Sequence, residues 1–153
     1  MTRTDFITRV RACERRLYRV ARTLLSSEAD CEDAVQEALL KAWVKLDTLR
    51  EEAYFETWLI RILINQCKSF YRRQPPATIE LTDSIPCPET YDSPLLDALN
   101  RLPRKTGIAL ELHYTEGYSI KECARILSVP EGTVKWRLSQ GRRQLTRDRK
   151  SVV

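Results

Sequence analysis

Ser119-Ile120-Lys121-Glu122-Cys123-Ala124-Arg125-Ile126-Leu127-Ser128-Val129-Pro130-Glu131-Gly132-Thr133-Val134-Lys135-Trp136-Arg137-Leu138 is the run on which the fold turns. Ser119 and Glu122 have capping-box spacing, so a short helix opens there and runs to about Leu127. Ser128-Val129-Pro130-Glu131 interrupts it and starts a longer helix that continues to about Arg147. A short helix, a tight turn and a longer basic helix form a helix-turn-helix pattern. Ala124 suits the close helix crossing, and Ile120, Ile126, Leu127, Val134, Leu138 and Leu145 supply the apolar contacts.

Upstream, Glu116-Gly117 is a glycine stop for a helix over 104–115. Ser93-Pro94 is a cap followed by a first-turn proline, opening a short helix that Pro103 ends. Five of the seven prolines fall between residues 75 and 94. The segment 74–92 therefore reads as a linker, because proline removes a helical donor and restricts its predecessor. The alternative is one long loop inside a single domain, an uncommon arrangement at that length. Residues 1–73 predict three helices. The first carries Phe6, Val10, Leu17, Val20 and Leu24 at helical spacing. The second follows the Ser27 cap, with Val35, Ala38, Leu39, Ala42, Trp43 and Leu46 on one broad face. The third runs from near Tyr54 to Arg73, after a polar connection over 47–52. The expected fold is all-α: two small helical domains, 1–73 and 93–153, joined by a Pro-rich linker over 74–92, with a C-terminal helix-turn-helix. Domains of this size bury a modest fraction of their surface, so both are expected to gain stability from partners.

Composition narrows the function. With 4 glycines in 153 residues the chain has neither GxGxxG nor GxxxxGK[ST]. Cys13, Cys31, Cys67, Cys87 and Cys123 are scattered, form no CxxC pair, and share the chain with a single histidine, His113. No metal site, catalytic triad or cofactor is expected from that set. The thiols read as reduced cysteines of a cytoplasmic protein, with a redox-sensing disulfide as the alternative. No apolar run approaches the roughly 20 residues needed to span a bilayer, so no membrane insertion is expected. Charge is unevenly spread. Residues 74–94 hold 4 acidic and no basic side chains, whereas 132–153 hold 7 basic ones against Asp148 alone. The basic C-terminal stretch points to a polyanion partner at that end.

Three groups of residues are candidates for function. In the final helix, Thr133, Lys135, Trp136, Arg137, Ser139, Gln140, Arg142 and Arg143 combine groove-reading donors and acceptors with flanking cations. The third helix interleaves aromatics and cations, Tyr54, Phe55, Trp58, Arg61, Lys68, Phe70, Tyr71, Arg72 and Arg73, with Asn65 a polar residue in an otherwise apolar stretch. Such a surface can stack exposed bases and follow a single strand, although Phe55, Trp58 and Phe70 also fit a plain core. The second helix carries Asp30, Asp33, Gln36 and Glu37 in an acidic cluster that physics alone reads as a solvated N-terminal face.

Asp30-Cys31-Glu32-Asp33-Ala34-Val35-Gln36-Glu37 resembles the D-x-E-D-x-x-Q-E run of extracytoplasmic function sigma factors. Thr57-Trp58-Leu59-Ile60-Arg61-Ile62-Leu63-Ile64-Asn65 is similar to their T-W-L-x-R-I-x-x-N helix, and Gly132-Thr133-Val134-Lys135-Trp136-Arg137-Leu138 to their G-T-V-K-S-R-L helix. The resemblance implies a non-catalytic factor that binds core RNA polymerase and directs initiation at specific promoters, usually under an anti-sigma factor that is often membrane-anchored. It assigns Asp30, Asp33, Gln36 and Glu37 to core polymerase. It assigns the loop, Leu49 and Arg50 included, and the third helix to −10 DNA, with Asn65 and Leu49–Tyr54 reading a flipped base, and the final helix to the −35 duplex. The linker would run toward the RNA exit path.

The chain departs from the family in places. Leu49 stands where an aromatic is frequent, Trp136 replaces a serine, and Gln140 and Gly141 stand where arginine and alanine are common. An indole at position 136 fits either a thymine methyl or an internal contact. A DNA-binding regulator that never engages polymerase is the rival reading. A hydrolase or redox enzyme lacks a nucleophile–base pair in this sequence.

Overall fold

The computed structural model describes residues 1–73 and 94–151, with side chains described to residue 72 in the first stretch and over 94–147 in the second. The Ser93 cap and the expected linker lie outside the described residues. The chain divides into two compact units, Met1–Pro88 and Glu89–Val153, and every regular element described is helical.

Three helices build the first unit: α1 (Arg3–Leu24), α2 (Glu28–Val44) and α3 (Phe55–Arg73). Thr2 and Asp5 close a capping box on α1, and the Ser27 hydroxyl caps α2 by accepting from the Asp30 amide. Ala34, Ala38 and Ala42 recur every four residues on α2 and are buried. Small side chains at that spacing let α2 lie close on α3, and Leu59, Ile60, Leu63, Ile64 and Cys67 of α3 with Leu17, Val20 and Ala21 of α1 complete the core. Truncating a residue such as Leu63 there costs about 2–5 kcal/mol, from lost burial plus the cavity left behind. The α2 helix ends two residues before Leu46, which is buried instead in a 3₁₀ turn, Leu46–Thr48. A second 3₁₀ turn, Glu52–Tyr54, occupies the expected start of α3. The polar connection is thus two tight turns joined by Leu49, Arg50 and Glu51.

The second unit contains α4 (Pro94–Arg101), α5 (Arg104–Leu110), α6 (Ile120–Leu127) and α7 (Glu131–Ser151). The helix expected over 104–115 changes character at its middle. From Glu111 to Thr115 it widens into a π turn, with the Glu116 amide donating to the Glu111 carbonyl at 2.9 Å and the Tyr118 amide to the Leu112 carbonyl at 3.0 Å. Gly117, at φ 82°, then provides the left-handed residue that reverses the chain. His113 is placed for structure: its Nδ1 lies 2.8 Å from the Tyr118 carbonyl oxygen. The Ser119–Glu122 capping box is present. Ser128, at φ 58°, ψ 46°, makes the turn between α6 and α7, which the Val129 amide closes onto the Ala124 carbonyl at 3.0 Å. The α7 helix packs on both α5 and α6 through Val134, Leu138 and Gly141.

Candidate functional site

Three surfaces gather most of the residues singled out by sequence. The first is the outer face of α2. Asp33, Gln36 and Glu37 are exposed, while Asp30, nearer the cap, is half-buried. The same face continues with Leu40 and Val44, which are 62% and 77% exposed. Leu40 also borders a shallow groove with Phe6, Gln36, Leu39 and Trp43. Trp43, expected on the buried face, lies at the rim. Its ring packs edge-on against Phe6 at 5.3 Å, and the Arg3 guanidinium covers it at 4.1 Å while donating to its carbonyl at 2.7 Å.

The second surface runs along α3. Trp58, Arg61, Asn65 and Arg72 fall three, four and seven residues apart, so they line one stripe that Tyr54 begins in the preceding turn. Tyr54, Arg61, Asn65 and Arg72 are exposed and Trp58 is half-buried. Arg50 is exposed beside the stripe and Leu49 is half-buried. Arg73 closes α3, with its side chain outside the described residues. Phe55 does not belong to this surface. At 2% exposure it is a core ring, 5.7 Å edge-on from Phe6 and 6.0 Å from Trp58. It supports the loop from below and presents no face for stacking.

The third surface is the outward side of α7. Trp136 is 62% exposed, which excludes the internal-packing alternative within its own unit. Lys135 and Arg143 are exposed, and Thr133, Arg137, Ser139 and Gln140 are half-buried around them. Arg142 is turned aside: it donates to the Tyr114 hydroxyl at 2.6 Å, next to a pocket lined by Leu95, Leu99, Leu110 and Leu145. One of its donors is therefore directed at the protein.

All four described cysteines are unbridged and buried. Burial pushes the Cys31 and Cys67 thiols up to about 12, and those of Cys13 and Cys123 up to about 11. Among the described residues no group of three His, Cys, Asp or Glu side chains could hold a metal ion, and no helix is long and apolar enough to cross a membrane.

Residues 9–75 match the model of sigma-70 region 2, and residues 93–145 match that of sigma-70 region 4. The ECF RNA polymerase sigma factor SigM of Mycobacterium tuberculosis is 36% identical over 140 residues, which cover 87% of this chain and 71% of that protein. The chain belongs to the extracytoplasmic function sigma factors of the sigma-70 family. The ECF RNA polymerase sigma-E factor of Haemophilus influenzae is 29% identical, over 78% of this sigma factor and 74% of its own length. Among solved structures, the sigma factor RpoE in complex with the anti-sigma factor NepR from Bartonella quintana superposes with a TM-score of 0.77 at 28% identity, covering 94% of this chain and 95% of that one. CnrH in complex with the cytosolic domain of CnrY gives 0.76 at 25% identity, covering 98% and 90%.

Sequence reasoning missed two features of this sigma factor. Leu40 and Val44 stand seven and eleven residues after Asp33, so helical periodicity already placed them on the acidic face. Arg9 was also missed. It lies forty-three residues from Glu52, whose carbonyl it binds, and no local pattern connects them.

Proposed function

We propose that this sigma factor works by binding alone and divides the task between its units: the first engages core RNA polymerase and opens the −10 element, and the second reads the −35 duplex. The observation that carries the reading is the separation of three surfaces, acidic with apolar neighbours on α2, aromatic and basic along α3, and basic with an exposed indole on α7.

Asp30, Asp33, Gln36 and Glu37 dock on a basic protein surface and fix register, while Leu40 and Val44 supply the apolar anchor such an interface needs. Separating the strands costs about 1.4 kcal/mol per base-pair step. Stacking an exposed base on an aromatic returns roughly 1–3 kcal/mol. Tyr54 and Trp58 offer that stacking, Arg50, Arg61, Arg72 and Arg73 follow the strand, and Asn65 with the Leu49–Tyr54 loop reads a flipped base. On α7, Thr133, Lys135, Ser139, Gln140 and Arg143 lie in the major groove with Arg137 and Arg142 at its margins, and Trp136 contacts a thymine methyl. About six phosphate contacts predict a loss of roughly 10³-fold in DNA binding between 50 and 200 mM salt. An anti-sigma factor holds this protein inactive, a reading supported by the anti-sigma partner in the similar RpoE structure.

The test is transcription by purified core polymerase, with and without this protein, on fragmented genomic DNA from the source organism, with RNA ends mapped by sequencing. New start sites that share two spaced elements are expected. No new starts, with the same core still active under another sigma factor, would overturn the reading in favour of a stand-alone regulator.

A further inference from the structure

The loop ahead of α3 is held at Glu52, whose carboxylate pairs with the Met1 ammonium at 2.8 Å and whose carbonyl is tied to α1. Glu52 opens the 3₁₀ turn that leads into α3, and its carbonyl oxygen accepts the Phe55 amide at the turn–helix junction. The same oxygen accepts a second hydrogen bond, from Arg9 Nη1 at 2.7 Å. Both lone pairs are then used, one holding the turn to α3 and the other holding it to α1. Arg9 also sits 3.6 Å from the Glu52 carboxylate through Nη2, and its guanidinium lies over the Phe55 ring at 5.8 Å. Phe55 in turn packs against Trp58. One side chain on α1 thus touches the backbone of the turn and the ring beneath it.

The turn's internal bonds are short-range. The Leu49 amide donates to the Leu46 carbonyl and the Tyr54 amide to the Glu51 carbonyl, each at 3.1 Å. Such bonds set the shape of the loop but not its placement against the helices. Placement needs a long-range tie, and a charged donor on a backbone carbonyl is stronger than a neutral one. The neighbouring Arg16–Glu56 pair joins α1 to α3 itself.

We infer that Arg9 is a positioning residue for −10 recognition, holding the Leu49–Tyr54 loop at the distance from Asn65 at which one flipped base meets both. The inference rests on the proposed reading of that loop. Base selection then depends on a residue that never touches DNA. Losing the tie leaves the aromatic and basic stripe of α3 in place, so strand capture survives while discrimination between bases declines.

The experiment uses the full chain assembled with core polymerase on a promoter found by the start-site mapping. Single-base substitutions across the −10 element give a discrimination ratio in transcription. 2-Aminopurine placed in the same element reports base extrusion by its fluorescence. Arg9→Ala is expected to lower the discrimination ratio about three- to tenfold, as for a charge-assisted hydrogen bond partly screened at the surface, with core affinity and −35 duplex binding unchanged. Arg9→Lys, which still donates to the carbonyl, recovers part of the ratio, and Arg16→Ala keeps it at the wild-type value. Should Arg9→Ala not fold, as judged by circular dichroism, the comparison of Arg9→Lys with Arg9→Gln carries the same expectation. A folded Arg9→Ala protein that discriminates like wild type overturns the positioning role alone. An equal loss in Arg16→Ala also overturns it, because the effect is then general loosening. A wild-type protein that opens no promoter removes the reading of the loop and the positioning role together.

Discussion

Gly141 is where α7 comes closest to α5. A Cβ added there would lie 2.5 Å from Leu110 Cδ1, 2.9 Å from Leu110 Cγ and 3.0 Å from Thr106 Cγ2. Carbon atoms prefer about 3.5–4.0 Å, so at least one neighbour must move. Leu110 and Thr106 are both buried, which leaves them little room to yield. Two effects oppose each other in Gly141→Ala. Alanine is the better helix former by about 1 kcal/mol in a helix interior. Overpacking a filled site costs about 1–3 kcal/mol. The clash includes a branch carbon as well as a methyl terminus, so the upper half of that range applies. The second unit should lose about 1–2 kcal/mol, equivalent to a 5–30-fold rise in its open population. Native-state hydrogen exchange read by mass spectrometry measures this by segment. Peptides from α5 and α7 should exchange faster by that factor, while those from α1, α2 and α3 keep their rates. Leu110→Val, which removes the atom closest to the new methyl, should restore part of the protection, measured as a coupling in the double variant. Unchanged or slower exchange in α5 and α7 of Gly141→Ala would refute the reasoning and show that the helix separation is not set by the missing methyl.

Four further outcomes are expected. Leu40→Asp should weaken core polymerase binding about tenfold or more without altering the melting temperature, because an exposed anchor contributes to an interface and not to the monomer; core affinity by fluorescence anisotropy checks it. Trp136→Ala should leave the second unit as stable as wild type and reduce affinity for the −35 duplex, with the largest change where a thymine is replaced by uracil; titration of paired duplexes reads both. The thiols predict a pH effect of defined sign. Cys31 and Cys67 titrate near 9.0 when unfolded and near 12 when folded, so the native state retains protons that the unfolded chain releases. The contribution is complete below pH 9 and declines as pH rises toward 12, at up to about 1.4 kcal/mol per thiol per pH unit. In a Cys87→Ser background, a thiol reagent at pH 8 should find no reactive cysteine in the native protein and four after denaturation; ready labelling of the native protein would contradict the assigned burial.

The helix-turn-helix was legible because its signals are local. The Ser119–Glu122 box, the glycine stop at Gly117 and the break at Pro130 act within a few residues of where they stand, and the structure places helix ends at each. The division of α2 and α3 into inner and outer faces was also largely legible, since period alone separates Ala34, Ala38 and Ala42 from Asp33 and Glu37. Errors gathered where residue type is ambiguous. Phe55 and Tyr54 are adjacent aromatics, and composition cannot tell that the first is turned into the core by Phe6 while the second stays outside. The helix expected over 104–115 gave no warning of its π turn, because the widening depends on which carbonyls the amides of Glu116 and Tyr118 find after the chain reverses.

Local pattern therefore settled which segments are helical, where they start or stop at the Ser27, Gly117, Ser119 and Pro130 signals, and which faces carry charge, since these depend on propensity, capping and period within one turn or two. Packing of distant segments settled the rest. Arg9 reaches Glu52 across forty-three residues, Arg142 is drawn to Tyr114, Gly141 meets Leu110, and Trp136 is left in solvent. Each of these outcomes rests on how closely two helices approach, a distance that side-chain volumes across the whole core determine together and that no short stretch of chain encodes.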